Sequence, residues 1–303
     1  MQIELGFQGL GVAPAIEEVR YAYPWARSVV VAAISYLPPE HAVEDNKPRG
    51  LVARFARGAD YHTVMREKLA RLADMIRSEH PKAKTEVCVD TCPLPERKLA
   101  LLAGIASRGK NGNVFVEGCG SWVALGEIVT NAILPASETA PVDLCGECEM
   151  CMRACPTRAI AEPYRVDAAR CISQLTQMSG IVPSESRQAM GNRVYGCDVC
   201  QEVCPRNVGV EPINPEFAVE CYPGASPDLL QMINLSKPDF NKLIRRSSVG
   251  WIRRTRIRRN AAIAAGNLKC GEAVPLLTEM LEDENPMLQA HAAWALKEIG
   301  LEG

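Results

Sequence analysis

The feature that most constrains this chain is where its cysteines fall. Thirteen are present, and eight crowd into residues 142–212: Cys145-Gly-Glu-Cys148-Glu-Met-Cys151-Met-Arg-Ala-Cys155-Pro156, then an isolated Cys171, then Cys197-Asp-Val-Cys200-Gln-Glu-Val-Cys204-Pro205. The opening MQIELGFQGLG lacks the basic and apolar regions of an export signal, so a reducing compartment and thiolate ligands are expected in preference to disulfides. A segment this rich in ligand-spaced thiols and this poor in apolar periodicity is expected to be organised by its ligands more than by an apolar core.

The first run has the C-x2-C-x2-C-x3-C-P spacing of bacterial ferredoxins, in which three close thiolates hold three corners of one cubane and the fourth serves the other. The second run lacks one cysteine, and Cys171 completes eight thiolates for two [4Fe–4S] clusters. Crossed ligation assigns Cys145, Cys148, Cys151 and Cys204 to cluster 1, and Cys155, Cys171, Cys197 and Cys200 to cluster 2. A pair of zinc sites is the alternative, because C-x2-C pairs also build zinc ribbons. Cys88, Cys92, Cys119, Cys221 and Cys270 lack ligand spacing and are expected to be small buried hydrophobes.

Around this module the 303 residues allow about two further units of ordinary packing, with 47% apolar residues to build them. A net charge of −2 excludes a polyelectrolyte, so any basic surface must be local. The apolar run Val29–Ile34 is far too short to span a bilayer, and a cytoplasmic protein without membrane contact is expected. Ser28–Tyr36 reads as a buried strand, and Asp60–His80 as a helix capped by Asp60 and ended by Pro81. Thr85–Val89 and Trp122–Thr130 read as strands, with a helix opened by Pro95 between them. In the last part RNAAIAAGNL (259–268) aligns with AHAAWALKEI (290–299), Ala261 with Ala292 and Ala264 with Ala295, a helix pair repeating as in HEAT arrays. The expected fold is therefore α+β: a domain over 1–140, a ferredoxin-like two-cluster module over 141–212 and a HEAT-like helical domain over 225–303.

Two motifs are set aside. Gly104-Ile-Ala-Ser-Arg-Gly109-Lys110-Asn111 nearly spells a P-loop, but Asn111 replaces the Mg²⁺-binding Ser/Thr and a helix precedes it. Gly6-Phe-Gln-Gly9-Leu-Gly11 does not follow the dinucleotide fingerprint and reads as a turn. His41, His62, His80 and His291 form no spaced metal pair.

Several further segments, ARGADYH (56–62), VDTCPLPER (89–97), AGIASRGKN (103–111), GSWVALGEI (120–128), RCISQLT (170–176), GNRVYGCDVCQEVCPRN (191–207) and RRNAAIAAGN (258–267), join the cysteine runs in one pattern. With them the chain resembles the cobalamin-dependent epoxyqueuosine reductases of tRNA modification over nearly its whole length. The resemblance implies that 1–140 binds cobalamin and is catalytic. It implies reduction of epoxyqueuosine to queuosine at the wobble position, with electrons from an external low-potential donor passing through the clusters to cobalamin. Asp90 matches the family's acid, a role suited to a buried carboxyl with a raised pKa. Cobalamin is then expected near Asp90, Lys110, Asn111, Ser121 and Trp122. No D-x-H-x-x-G element supplies a histidine to cobalt. The chain departs from the family at Cys92, where Gly or Ala is usual, at Ala106–Arg108, and in a short segment between Pro14 and Trp25. Alternatives are a corrinoid iron–sulfur reductase acting on a non-tRNA substrate, and a two-cluster electron carrier.

Between Asn241 and Asn260 lie Lys242, Arg245, Arg246, Arg253, Arg254, Arg256, Arg258 and Arg259 without one acidic residue. A phosphate-binding strip for a tRNA anticodon stem-loop is expected there, with Arg253, Arg254, Arg256 and Arg258 as its contacts.

Overall fold

The computed structural model describes residues 5–39, 45–137, 142–218 and 221–300. Its centre is a four-stranded antiparallel sheet of β1 (Gly9–Pro14), β2 (Ser28–Ser35), β4 (Thr85–Cys88) and β7 (Val123–Thr130), in the order β1-β2-β7-β4. The inner strands β2 and β7 carry β-branched and small residues and bury almost every side chain. A short helix, α1 (Glu17–Ala22), links β1 to β2.

Alternation along the strands divides the core into two layers. Val30, Ala32, Ile34, Ala124 and Ile128 face α2 (Tyr61–Glu79), whose Met65, Leu69 and Leu72 recur at helical spacing. Val29, Val31, Ala33, Leu125 and Val129 face α3 (Glu96–Leu102) through Leu99 and Ala100. Each buried Leu, Met or Val contributes about 1.5–3 kcal/mol by leaving water, which makes the sheet a rigid base for the loops at its ends. Gly9–Gly11, expected as a turn, is instead the start of edge strand β1. A Cβ on Gly11 would sit 2.2 Å from the Ala103 carbonyl oxygen, so the glycines are there for close approach to the chain after α3.

A hairpin of β5 (Ser107–Arg108) and β6 (Val114–Phe115) holds the near-P-loop in its turn, not between a strand and a helix. The cysteine-rich segment contributes α4 (Met150–Ala154), α5 (Ile172–Gln177), strand β8 (Arg193–Tyr195) and α6 (Val199–Glu202). It does have a small core, formed by Ile172, Leu175, Val182 and Met190 with Ile263 of the tail. It is also tied to the first part, because β8 pairs in parallel with β3 (Leu51–Val52). The boundary between residues 140 and 141 lies outside the described residues, as does His41.

After α7 (Leu229–Ile233), the tail folds as α8 (Arg253–Asn267), α9 (Val274–Met280) and α10 (Pro286–Ile299), with α8 packed on α10 through the aligned alanines. Four side chains of α8 and α10 fasten this tail to the cysteine-rich segment. Arg259, fully buried, donates to the carbonyls of Leu175, Thr176, Met178 and Gly180 at 2.8–3.2 Å. Asn260 donates to the Thr176 and Val194 carbonyls, and Asn267 to those of Arg187 and Gly191. His291 accepts the Val182 N–H, and burial lowers its pKa to about 4, so this imidazole is a neutral core group. No helix among the described residues is long and apolar enough to cross a membrane.

Arg259→Ala would leave those carbonyls unpaired in the interior, and a loss of about 3 kcal/mol or more is expected. Denaturant unfolding of the anaerobic protein, with Arg245→Ala as an exposed control, measures it.

Candidate active site and cluster cavities

The eight ligand-spaced thiols fall into two groups. Cys145, Cys148, Cys151 and Cys204 line a cavity of about 230 Å³ with Lys110, Met150 and Arg206 at its border. Cys155, Cys171, Cys197 and Cys200 line a second, larger cavity of about 560 Å³. This is the crossed pairing expected from the spacing. Among the described residues no three Cys, His, Asp or Glu side chains converge as ligands of a single ion.

Polar groups on both sides of the segment's border hold these groups in place. The Lys110 N–H points at the Cys145 sulfur at 3.4 Å, and Asn111 donates to the Cys200 carbonyl at 3.3 Å. Gln201 donates to Tyr36 Oη and to Ser121, while Asn207 donates to Ser121 Oγ and accepts the Ser121 N–H. Gly120, at φ +55°, allows this fit, since a Cβ there would lie 2.2 Å from Asn207 Oδ1. Asp198, between two thiols, is pushed up to about 6 by burial, against the Arg54 N–H and the charges of Arg57 and Arg54.

The larger cavity reaches from its four thiols to Asp90, Glu96 and Arg97, with Asn111, Asn113 and Ser121 also on its lining. Lys110 and Trp122, expected on it, are elsewhere. Lys110 belongs to the smaller cavity, and Trp122 is buried under Arg54, edge-on to Tyr36. Ser121 has its hydroxyl already engaged. Of the five cysteines set aside, Cys88, Cys119 and Cys270 are buried as expected, whereas Cys92 and Cys221 are half-buried.

Asp90 does not stand where a buried acid would. It follows β4 in a left-handed conformation, φ +58°, with 56% of its side chain exposed. Its backbone N–H donates to Glu96 Oε1 at 2.6 Å. His62 Nε2 lies 3.2 Å from Asp90 Oδ2, while His62 Nδ1 meets Asp60 Oδ1 at 2.8 Å. Asp60 is fixed in turn as the N-cap of α2 and by Ser248 Oγ. The hydrogen bond from His62 holds the Asp90 carboxyl below the usual range, the opposite of the raised pKa expected. Burial works against the charged imidazole, but its bonds to Asp60 and Asp90 raise His62 to about 9. The proton of this site therefore rests on His62. Tyr61 stacks on the imidazole at 4.0 Å. Sequence reasoning gave His62 no role, because its partners are two carboxylates and not a second metal ligand.

A corrinoid needs a broad slot free of competing ligands. This cavity offers apolar Val114, Val123, Ala124 and Leu125 beside the amides of Asn111 and Asn113, and its histidine has both nitrogens engaged. The residues present fit that group.

The basic strip divides. Arg254 donates to the Leu235 carbonyl, Arg256 to that of Gln177, and Arg258 to that of Ile233 and to Asp283. These three guanidiniums, expected on phosphates, hold the fold together. Lys242, Arg245, Arg246 and Arg253 stand exposed. They flank Ser248 and Trp251, which line the cavity. The Trp251 indole is 57% exposed and donates to Tyr195 Oη at 2.7 Å.

Comparison with known proteins decides the family. Residues 17–91 match the family described as epoxyqueuosine reductase QueG, DUF1730. Residues 144–207 match a 4Fe-4S double cluster binding domain, and 253–303 match HEAT repeats. The epoxyqueuosine reductase of Bacillus subtilis is 37% identical over 99% of this chain and 79% of its own length. That of Escherichia coli is 37% identical over 90% of this chain and 73% of its own length. The chain belongs to the epoxyqueuosine reductase family. A crystal structure of epoxyqueuosine reductase with an epoxyqueuosine-modified tRNA-Tyr stem loop superposes with a TM-score of 0.92 at 33% identity, over 98% of this chain and 88% of that one. The enzyme from Streptococcus thermophilus superposes at 0.89 with 30% identity, over 99% of this chain and 88% of that one. The chain is thus an enzyme of the epoxyqueuosine reductase family with an iron–sulfur double-cluster domain, not a bare electron carrier.

His62 is raised above its ordinary 6.5, so the stability it lends through Asp60 and Asp90 is complete below about 6.5 and is lost as pH rises through about 9. NMR titration of the imidazole is expected to give a midpoint near 9, falling toward 6.5 in Asp60→Asn.

Proposed function

We propose that this enzyme reduces the epoxide of epoxyqueuosine at the wobble position of tRNA to the alkene of queuosine, in the cytoplasm, drawing electrons from an external low-potential donor. One observation carries this reading: a single cavity is lined at once by Asp90 with His62 and by the thiols Cys155, Cys171, Cys197 and Cys200. Those four cysteines would hold the inner cluster, and Cys145, Cys148, Cys151 and Cys204 the outer one. Asn111, Asn113, Val123 and Leu125, on the lining of that same cavity, would hold cobalamin. When bound, the clusters and the corrinoid supply the two electrons.

The chain's own groups handle protons and position. Losing the epoxide oxygen as water takes two protons as well as two electrons. Asp90 faces the cavity as a carboxylate beside a protonated imidazole, so it passes a proton from His62 to the departing oxygen. It does so through the 3.2 Å contact between the two side chains. Asp60 keeps His62 charged and aimed. Trp251 at the cavity offers a surface on which an unpaired base can stack, and Lys242, Arg245, Arg246 and Arg253 are the cations available to phosphates.

Two experiments test the reading. Asp90→Asn is expected to keep fold and iron content while turnover of an epoxyqueuosine-bearing stem-loop falls by about 10²–10⁴-fold, followed by mass spectrometry of the nucleosides. Near-normal turnover would remove Asp90 from the reaction. Arg245→Glu with Arg246→Glu should weaken stem-loop binding and flatten its salt dependence by about two phosphate contacts. An unchanged salt slope would make a non-tRNA substrate the better reading.

A further inference from the structure

On β7 the residues facing α3 are Leu125, Glu127 and Val129, so one carboxyl stands in an otherwise apolar layer. The register sets Glu127 opposite Val31 on β2 and Cys88 on β4, two residues before Asp90. Glu127 is completely buried, and neither of its oxygens has a hydrogen-bond donor among the described residues. The titratable groups around it are Cys88 on β4, Cys92 in the loop that carries Asp90, and Glu96 on α3. None is a cation. Tyr23 of that layer has its hydroxyl 3.4 Å from the Cys88 sulfur.

A bare carboxylate here would cost several kcal/mol, about the penalty of any unpaired charge in a protein interior. Burial, and then the charge of Glu96, push Glu127 well above the carboxylate range. The neighbouring ionisable side chain is another carboxyl, that of Glu96, which lies three and four residues before Leu99 and Ala100 and so on the sheet-facing side of α3. Two carboxyls can bond only if one of them keeps its proton. Glu96 is itself pushed up by burial and by Asp90, against the Asp90 N–H and the charges of Arg97 and His62.

We propose that Glu127 is a positioning residue for the reaction, donating the O–H of its carboxylic acid to Glu96 and so fixing Glu96 as the acceptor of the Asp90 amide. The proposal rests on Asp90 acting as read above. Asp90 needs such a hold, because a non-glycine residue at φ +58° is strained and its N–H is one of the few bonds keeping it there. Glu96 turned away by an ionised Glu127 would release that N–H. The chain from sheet to site is short: Glu127, Glu96, the Asp90 amide, the Asp90 carboxyl.

Infrared spectroscopy of the anaerobic holoenzyme tests the donor directly and needs no substrate. A protonated-carboxyl carbonyl band that shifts in D₂O is expected at neutral pH and should vanish in Glu127→Gln. Kinetics test the positioning. Glu127→Leu, which cannot donate, should lower kcat about tenfold or more with KM for the stem-loop nearly unchanged, and Glu127→Gln, whose amide still donates, should recover most of that loss. Absence of the band, or equal kcat in the Gln and Leu variants, overturns the proposal. If Glu127→Leu does not fold, the band and its loss in Glu127→Gln decide alone. An active Asp90→Asn alongside a normal band would sink the Asp90 reading and leave the Glu127–Glu96 bond standing.

Discussion

Eight thiols must be held in two cages by a segment whose own apolar core amounts to a handful of residues, and everything else in the structure answers to that. The cages are fixed from outside, by side chains that donate to backbone carbonyls. Arg259 and Asn260 of the helical tail grip the end of α5 and strand β8, on either side of Cys197's approach. Asn111 reaches Cys200 from the β5–β6 hairpin, and Ser121 anchors Gln201 and Asn207. Each such bond is worth only about 1 kcal/mol net, but a buried carbonyl left alone costs more, so the set is strict about its members. The tail is therefore a clamp on the cluster module as well as a surface.

The corner around Asp90 is built on the opposite logic, exposure and charge. A salt-bridged Asp–His–Asp row runs from the cap of α2 to the tip of the β4 loop, and its two carboxylates keep one imidazole protonated well above neutral pH. Asp90 gains from this a proton donor at hydrogen-bond distance while remaining open to the cavity. The arrangement keeps a proton beside Asp90 at neutral pH without requiring the aspartate itself to be buried.

Much of this was legible in the sequence because it is local. The ferredoxin spacing, the Asp60 cap, the Pro95 helix start and the buried β-branched run of Ser28–Ser35 are each decided within a few residues, and the structure keeps the cap, the helix start and the strand. What escaped was decided by distant neighbours. A run of eight cations does not say which guanidiniums find carbonyls, and Arg254, Arg256 and Arg258 do. His62 and Asp90 lie 28 residues apart and meet only because α2 and β4 pack side by side. Asp90 was expected to be buried because its role suggested it, whereas its place after a short strand puts it at the surface. Glu127 drew no reading from the sequence beyond its place in a strand, and its burial shows that it points inward.

Strand β4 is four residues long and is the last in the sheet, paired on one side alone. The segment that follows it is held at Asp90 by the contact with His62 and the bond to Glu96, neither of which is a rung between β4 and β7. The position of that carboxylate is therefore set by two neighbouring elements, α2 and α3, and not by the ladder of the sheet.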